Sequence, residues 1–156
     1  MKHIEKAIDY KVLNISSHSF KEGEMIPVKY TCDGANINPS LDIKGIPDQA
    51  RSLAIIVDDP DAPAGTWVHW VVWNIPVTQH IKEDHVPGTE GVNDFQQHHY
   101  GGPCPPSGTH RYFFKVYALD TILDLPAGTN KMQLEKAISE HIIGFGELTG
   151  LYKRDK

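Results

Sequence analysis

The chain has 156 residues, of which 40% are hydrophobic and 22% are charged, and its formal net charge at pH 7 is −5. This composition predicts one globular domain, spanning residues 1–156, with enough apolar side chains for a hydrophobic core. The acidic balance, without a cluster of lysine and arginine, excludes the basic surface that a nucleic acid requires, so we expect no nucleic-acid partner.

The opening residues, "MKHIEKAIDYKVLNISS", alternate charged and apolar positions and lack the continuous apolar stretch of a signal peptide. No later segment approaches the length of a transmembrane helix. We therefore expect a soluble, cytoplasmic protein without integral membrane association. The first part of the chain also contains three weaker strand candidates, at residues 12–16, 28–31 and 40–43.

Three stronger strand candidates follow in the middle of the chain. The segments "SLAIIVDD", "TWVHWVVWNI" and "RYFFKVYALD" are rich in β-branched and aromatic side chains, which favour a pleated surface packed on both faces. We predict that the central strands of the fold include residues 52–57, 68–74 and 112–119. A further, weaker candidate covers residues 145–152.

One segment near the end shows helical periodicity instead. After Asn130, "KMQLEKAISEHII" places its apolar residues close to a helical stripe, and Gly144 is the predicted stop. The chain is thus mainly β with one short late helix, and it lacks the alternating strands and helices of a parallel α/β sheet. This pattern predicts an all-β fold of the antiparallel two-sheet sandwich type.

The two cysteines, Cys32 and Cys104, are too few for a disulfide framework that would stabilise the fold. A single bridge between them is one alternative. Because we expect a cytoplasmic protein, two reduced thiols are the favoured interpretation.

Two Gly/Pro-rich segments, "DDPDAPAGTWVHW" and "GGPCPPSGTHRYFF", run directly into predicted strands, and each brings a histidine to the junction. Because successive side chains of a strand point to opposite faces, each histidine should share its face with aromatic residues. In the first strand that face comprises Trp67, His69, Val71 and Trp73. In the second it comprises His110, Tyr112, Phe114 and Val116. Two such strand ends brought together would form a small polar pocket with an aromatic wall.

Each feature also has a simpler structural interpretation. A histidine on an apolar strand face often belongs to the core, where it bonds a neighbouring group. Asp58 is expected to cap a turn, since aspartate commonly bonds the backbone two residues further along. Five other histidines are interpreted as solvated side chains rather than metal ligands. They are His80, His85, His98, His99 and His141.

Five motifs in this order, "YTCDGANINPSL", "DDPDAP", "WVHW", "GPCPPSGTHRY" and "GELTGLY", resemble the phosphatidylethanolamine-binding protein family. The family is also called the Raf kinase inhibitor-like proteins, and the match is to its compact bacterial and archaeal form. The resemblance covers nearly the whole chain. It implies the family's β-sandwich, with Greek-key-type connections between the strands.

The resemblance also assigns a set of ligand-binding residues. They are Asp59, Asp61, Trp67, His69, Pro106, His110 and Tyr112, with Pro105 as the alternative register for the pocket proline. Backbone N–H groups of the loop that includes Gly108 are expected to add donors for an anion. Arg111 points away from His110 and is expected to form a structural ion pair. The family further implies a cis peptide bond at Gly65–Thr66.

This pocket predicts a binding module for a small anionic or phosphorylated ligand, such as a phospholipid head group, without a cofactor or a metal. Asp59 should hold both histidines as imidazolium donors, since a nearby carboxylate stabilises the charged form. A kinase or protease inhibitor that acts by protein docking is an alternative. A hydrolase that uses His69 and His110 as general acid and base is another, although no convincing nucleophile supports an enzyme.

The chain departs from the larger eukaryotic members of this family at two points. Only "AGT" separates "DDPDAP" from "WVHW", and the sequence ends at Lys156, just after the last predicted strand. No C-terminal helix is therefore expected to cover the pocket. A second subunit could shield it, and a homodimer is a hypothesis on this ground.

Overall fold

A computed structural model describes residues 10–154, which form two β-sheets and one short α-helix. The prediction about a signal peptide falls mainly on residues 1–9, which lie outside this range. In chain order, the strands are β1 (Lys11–Val12), β2 (Asn14–Ser16), β3 (Leu41–Lys44), β4 (Ser52–Asp59), β5 (Trp67–Ile75), β6 (His80–Ile81), β7 (Thr89–Glu90), β8 (His110–Leu119) and β9 (Ile142–Tyr152). The helix α1 (Lys131–Ile138) lies between β8 and β9.

The larger sheet has the strand order β1-β9-β8-β4-β5-β7, and the smaller has the order β2-β3-β6. All neighbouring strands pair antiparallel except β1 and β9, which pair parallel. The predicted antiparallel sandwich is thus confirmed, with one parallel pair at an edge. The strong strand candidates at residues 52–57, 68–74 and 112–119 are confirmed as the centre of the larger sheet.

Strand β4 is buried along its whole length because both of its faces are covered. Its residues Leu53, Ile55 and Val57 pack into the core between the two sheets, with Leu41 and Ile43 of β3. The intervening residues face a second apolar cluster on the opposite side of the sheet. A strand that is covered on both faces is apolar at every position instead of alternating, which explains the "SLAIIV" run.

Helix α1 covers the outer face of the larger sheet. Its residues Leu134 and Ile138 pack against Ile56 and Trp73 in the second cluster. Asn130 caps the helix, since its side chain accepts a hydrogen bond from the Gln133 backbone N–H at 2.9 Å. None of the helices in residues 10–154 is long and apolar enough to cross a membrane.

Two of the local predictions are wrong. Residues 28–31 do not form a strand, because Pro27 leads into a 3-10 helix, Val28–Tyr30, which the Thr31 backbone N–H closes onto the Val28 carbonyl. Gly144 does not end the helix, which stops at Ile138. Instead Gly144 lies inside β9, opposite Ala118, where a side chain would press on Leu13.

The prediction that Val71 and Trp73 share a face of β5 with His69 is also wrong. Val57 pairs with Trp70 and Asp58 pairs with Val68, so β5 carries an extra residue, a β-bulge, at His69. Beyond the bulge, Val71 and Trp73 point to the helix-covered face, whereas the His69 ring contacts Tyr112 of the inter-sheet core.

The expected cis peptide bond is not present. All peptide bonds between residues 10 and 154 are trans, including Gly65–Thr66. The chain turns here through Gly65 itself, which has a φ of 112° and donates its N–H to the Ala62 carbonyl at 3.1 Å. Glycine adopts this positive φ without the steric cost that a side chain would add.

Candidate functional site

The two Gly/Pro-rich junctions meet at one end of the larger sheet and enclose a cleft of about 230 Å³. They meet because β4 pairs with both β5 and β8, so the strands that carry the two histidines flank it. The cleft is lined by Asp59, Ala62, Pro63, Trp67, His69, Phe95, Cys104, Pro105, Pro106, His110 and Tyr112. Six of the residues that the sequence analysis assigned to a ligand site are therefore brought together: Asp59, Trp67, His69, Pro106, His110 and Tyr112.

His110 and Asp59 form a buried pair in this cleft. The Nδ1 atom of His110 lies 2.7 Å from Oδ2 of Asp59, and both side chains are less than one-tenth exposed. The other oxygen of Asp59 accepts the backbone N–H of Asp61 at 2.7 Å. Because the carboxylate is held from both sides, it fixes the ring of His110 and leaves Nε2 as the nitrogen available to a ligand.

His69 is held by the backbone and not by a carboxylate. Its Nδ1 atom donates to the Gly101 carbonyl at 2.7 Å, and the Gly101 N–H returns a bond to the His69 carbonyl at 3.1 Å. Burial lowers the pKa of His69 despite the opposing effects of Gly101 and Asp59. The expectation that Asp59 holds both histidines as imidazolium is therefore wrong for His69, which favours the neutral form.

The Tyr112 hydroxyl is buried in the cleft without a hydrogen-bond partner among the described residues. Its ring stacks on His110 at 6.4 Å between centroids and meets the edge of His69 at 5.3 Å. Burial, and then the nearby charge of Asp59, raise the pKa of Tyr112 well above its ordinary value. Because its pKa is raised, the hydroxyl keeps its proton, and no described residue accepts a hydrogen bond from it.

A disulfide forms part of the cleft wall. Cys32 and Cys104 are bonded, with 5.5 Å between their Cα atoms, so the favoured prediction of two reduced thiols is wrong. Their positions, 72 residues apart in the chain, meet because the Cys32 N–H donates to the Pro103 carbonyl at 3.1 Å. Sequence spacing could not reveal this contact between two loops. The bridge ties the cleft loop to the loop that follows the 3-10 helix.

The remaining assigned residues lie at the margin or outside the cleft. Both candidate prolines line it, Pro105 as a buried residue and Pro106 as an exposed one. Gly108 is exposed and does not line it. Asp61 also points away, because both its oxygens bond Arg111, and this ion pair lowers the pKa of Asp61 to about 2. The structural ion pair expected for Arg111 is thus present.

Phe95 is a cleft residue that the sequence analysis missed. Its ring meets the edges of Trp67 and His69, with centroid distances of 5.5 and 5.3 Å. Asn93 positions it, because its side chain accepts the Phe95 N–H at 2.9 Å and donates to the His69 carbonyl at 3.0 Å. The one available signal was an isolated aromatic residue in the polar segment "VNDFQQHH".

Asp58 does not cap a turn, contrary to the prediction. It is 2% exposed on the sheet face opposite the cleft, and its Oδ2 accepts from Lys115 at 3.1 Å and from Lys131 at 2.8 Å. Two consecutive aspartates of β4 therefore serve opposite faces: Asp58 anchors the start of α1, and Asp59 orients His110. No group of three or more potential ligand side chains in residues 10–154 is arranged to hold a metal ion.

Comparison with known proteins identifies relatives over nearly the whole chain. A "UPF0098 protein" of Methanothermobacter thermautotrophicus is 47% identical over 91% of this chain and 99% of its own length. A relative of the same description from Pyrococcus abyssi is 51% identical over 88% of this chain and 84% of its own length. These names give no activity to carry over.

Solved structures agree with the fold. The crystal structure of a phosphatidylethanolamine-binding protein homolog from Chlamydia trachomatis superposes with a TM-score of 0.89 at 39% identity, over 93% of this chain and 99% of that one. An Escherichia coli protein described as a new member of the mammalian family gives a TM-score of 0.85 at 31% identity, over 92% and 99% of the two chains. The sequence profile of the phosphatidylethanolamine-binding protein family matches residues 16–153. The chain therefore belongs to the phosphatidylethanolamine-binding protein family.

Proposed function

We propose that the cleft binds the phosphate group of a small molecule. The observation that carries this proposal is the buried Tyr112 hydroxyl, which has no hydrogen-bond partner among residues 10–154 and lines the same cleft as both histidines. A buried donor without an acceptor costs about 1–3 kcal/mol. A phosphate oxygen that accepts a hydrogen bond from this hydroxyl would remove the cost.

His110 supplies the second interaction. Its Nδ1 atom is occupied by Asp59, so its Nε2 atom remains for the ligand. A proton at Nε2 is balanced across the ring by the buried Asp59 carboxylate. The resulting hydrogen bond to a phosphate oxygen is charge-assisted, which makes it shorter and stronger than a bond between neutral groups.

The size and walls of the cleft favour a small ligand. Its volume of about 230 Å³ lies below the roughly 300–1,000 Å³ that is usual for drug-sized ligands. Trp67, which is 37% exposed, and Phe95 form an aromatic wall on one side. Such a wall suits a short apolar or cationic substituent on the phosphate.

Covalent catalysis receives less support from the same residues. Cys104 is bonded to Cys32 and is not a free thiol, and no serine or threonine lines the cleft. The His110–Asp59 pair could move a proton, but the usual side-chain nucleophiles for acyl or phosphoryl transfer are missing from its surroundings. These contacts favour binding over turnover.

Tyr112→Phe is expected to weaken phosphoethanolamine binding by about tenfold, because it removes one donor from a buried site and leaves the ring in place. Isothermal titration calorimetry near pH 6 measures the affinity. The matched control is Tyr117→Phe on the same strand, whose ring packs against the second apolar cluster and not in the cleft. Ethanolamine, which lacks the phosphate, should not bind. Absence of binding by the wild type, or an unchanged affinity of Tyr112→Phe, would contradict the proposal.

His110→Ala is expected to weaken binding by about ten- to a hundredfold, and His69→Ala, which removes a neutral ring, by about tenfold. Affinity should also fall as the pH rises, because a phosphate monoester that loses its second proton is repelled more strongly by Asp59. Titrations between pH 5 and pH 8 test both expectations. Should both variants bind with the affinity and pH dependence of the wild type, the histidines are core residues only.

A further inference from the structure

The two histidines of the cleft differ in what they offer a ligand. A carbonyl oxygen can only accept, so the bond between His69 Nδ1 and the Gly101 carbonyl, 2.7 Å long, fixes the proton on Nδ1. The second nitrogen of neutral His69, Nε2, therefore carries a lone pair. The His69 side chain is enclosed by Phe95 and Tyr112, and the residue is 2% exposed.

The surroundings of His69 keep this lone pair available. Burial lowers the pKa of His69, and the charges that oppose this effect are Asp59 and Asp58 of β4. Asp59 already bonds His110, and Asp58 bonds two lysines on the other face of the sheet. From β8, Tyr112 presents a neutral hydroxyl. No carboxylate among residues 10–154 makes a hydrogen bond with His69.

The cleft therefore combines donors with one acceptor. The Tyr112 hydroxyl keeps its proton, since burial and Asp59 raise its pKa, and it is free to donate a hydrogen bond to a ligand. His110 Nε2 becomes a donor when it is protonated opposite Asp59. His69 Nε2 accepts. An oxyanion that has only acceptor oxygens can bond Tyr112 and His110. It places an oxygen lone pair against the lone pair of His69 Nε2, which is repulsive.

We propose that the cleft selects phosphate monoesters in their singly protonated form, which still carry one P–OH, over sulfates and phosphodiesters. This inference rests on the phosphate site proposed above. The P–OH group donates to His69 Nε2 while the remaining oxygens accept from Tyr112 and His110. No bond is broken, and His69 needs no proton from solvent. A sulfate ester or a diester must instead bring a proton onto buried His69, against the cost of burying that charge.

Methyl phosphate and methyl sulfate are the decisive pair of probes. Near pH 5, below the second ionisation of phosphate monoesters at about pH 6, methyl phosphate is a monoanion with one P–OH. Methyl sulfate has the same charge and nearly the same shape but no acidic proton. Calorimetry with the intact protein should show methyl phosphate binding at least about tenfold more tightly. Dimethyl phosphate, also a monoanion without an acidic proton, should behave like methyl sulfate.

The number of protons taken up on binding gives an independent measurement on the wild type. Titration in buffers of different ionisation enthalpy at pH 5 should show about one more proton taken up with methyl sulfate than with methyl phosphate. Affinity for methyl sulfate should fall further as the pH rises, because His69 must be protonated to receive it. These measurements do not depend on whether a variant folds.

A variant tests whether His69 causes the preference for methyl phosphate over methyl sulfate. His69→Phe keeps an aromatic ring but removes the lone pair, so the preference for methyl phosphate over methyl sulfate should fall to about threefold or less. His85→Ala, a change at an exposed histidine outside the cleft, should keep the full preference. Equal binding of the two probes by the wild type would overturn this inference and leave the phosphate site intact. Failure of both probes to bind would overturn the phosphate site itself.

Discussion

Replacement of Cys32 and Cys104 together by serine is expected to lower the free energy of unfolding by about 4 kcal/mol. The bridge joins positions 72 residues apart, so it restricts the unfolded chain over nearly half its length. In the chain-entropy description, loops of this size gain more from a cross-link than short ones do. Guanidinium unfolding of the oxidised wild type and of the double variant, followed by far-UV circular dichroism, measures the difference.

The reduced wild type provides the control for this prediction. A dithiol reductant should shift the unfolding midpoint of the wild type toward that of the double serine variant and leave the variant unchanged. Because Cys104 lines the cleft, the affinity for phosphoethanolamine should decrease in the same samples. Equal unfolding midpoints for the oxidised and reduced wild type would show that the bridge contributes nothing to stability.

Gly102→Ala is expected to cost about 3 kcal/mol or more of folding free energy, because the new methyl group has no room. An added Cβ would lie 2.3 Å from the Tyr30 carbonyl oxygen and 2.6 Å from Oδ1 of Asn36. The backbone cannot easily move away. Gly102 donates its N–H to Asn36 at 2.8 Å, and the adjoining residues bond His69 and Cys32.

Gly128→Ala is the matched control for Gly102→Ala. A Cβ at Gly128 meets nothing within 4 Å, and its φ is outside the left-handed region. Its stability should therefore stay within about 0.5 kcal/mol of the wild type. Thermal and denaturant unfolding of both variants measure this difference in stability. A Gly102→Ala protein as stable as the control would show that the junction between the two loops can open at little cost.

The central strands could be predicted from the sequence because burial on both faces leaves a continuous apolar run that needs no knowledge of the neighbours. The directions in which the side chains of a strand point could not be predicted in the same way. The bulge at His69 depends on how β5 pairs with β4, and no pattern within β5 shows it. The same limit explains the segment after Pro27, where a β-branched residue beside an aromatic one suggests a strand but a local turn closes first.

Only those residues of the candidate site that lie inside two short motifs could be predicted from the sequence. Both histidines, Asp59 and Tyr112 lie inside those motifs. How the histidines are paired could not be predicted: Gly101 opens the second motif but lies 32 residues from His69, and Phe95 belongs to a segment without a recognisable pattern. Asp58 and Asp59 look equivalent in sequence, and only the pleat of β4 sends them to different partners. The expected protein partner, homodimer and cytoplasmic location remain predictions.

The unequal exposure of the tryptophans gives this protein a built-in optical probe. Trp67 at the cleft mouth is 37% exposed, whereas Trp70 and Trp73 are at most 1% exposed. A water-borne quencher of fluorescence, such as iodide or acrylamide, therefore has access chiefly to the indole that borders the cleft. Occupancy of the cleft can be followed through the quenching of this single ring, without a dye, a label or an added tryptophan.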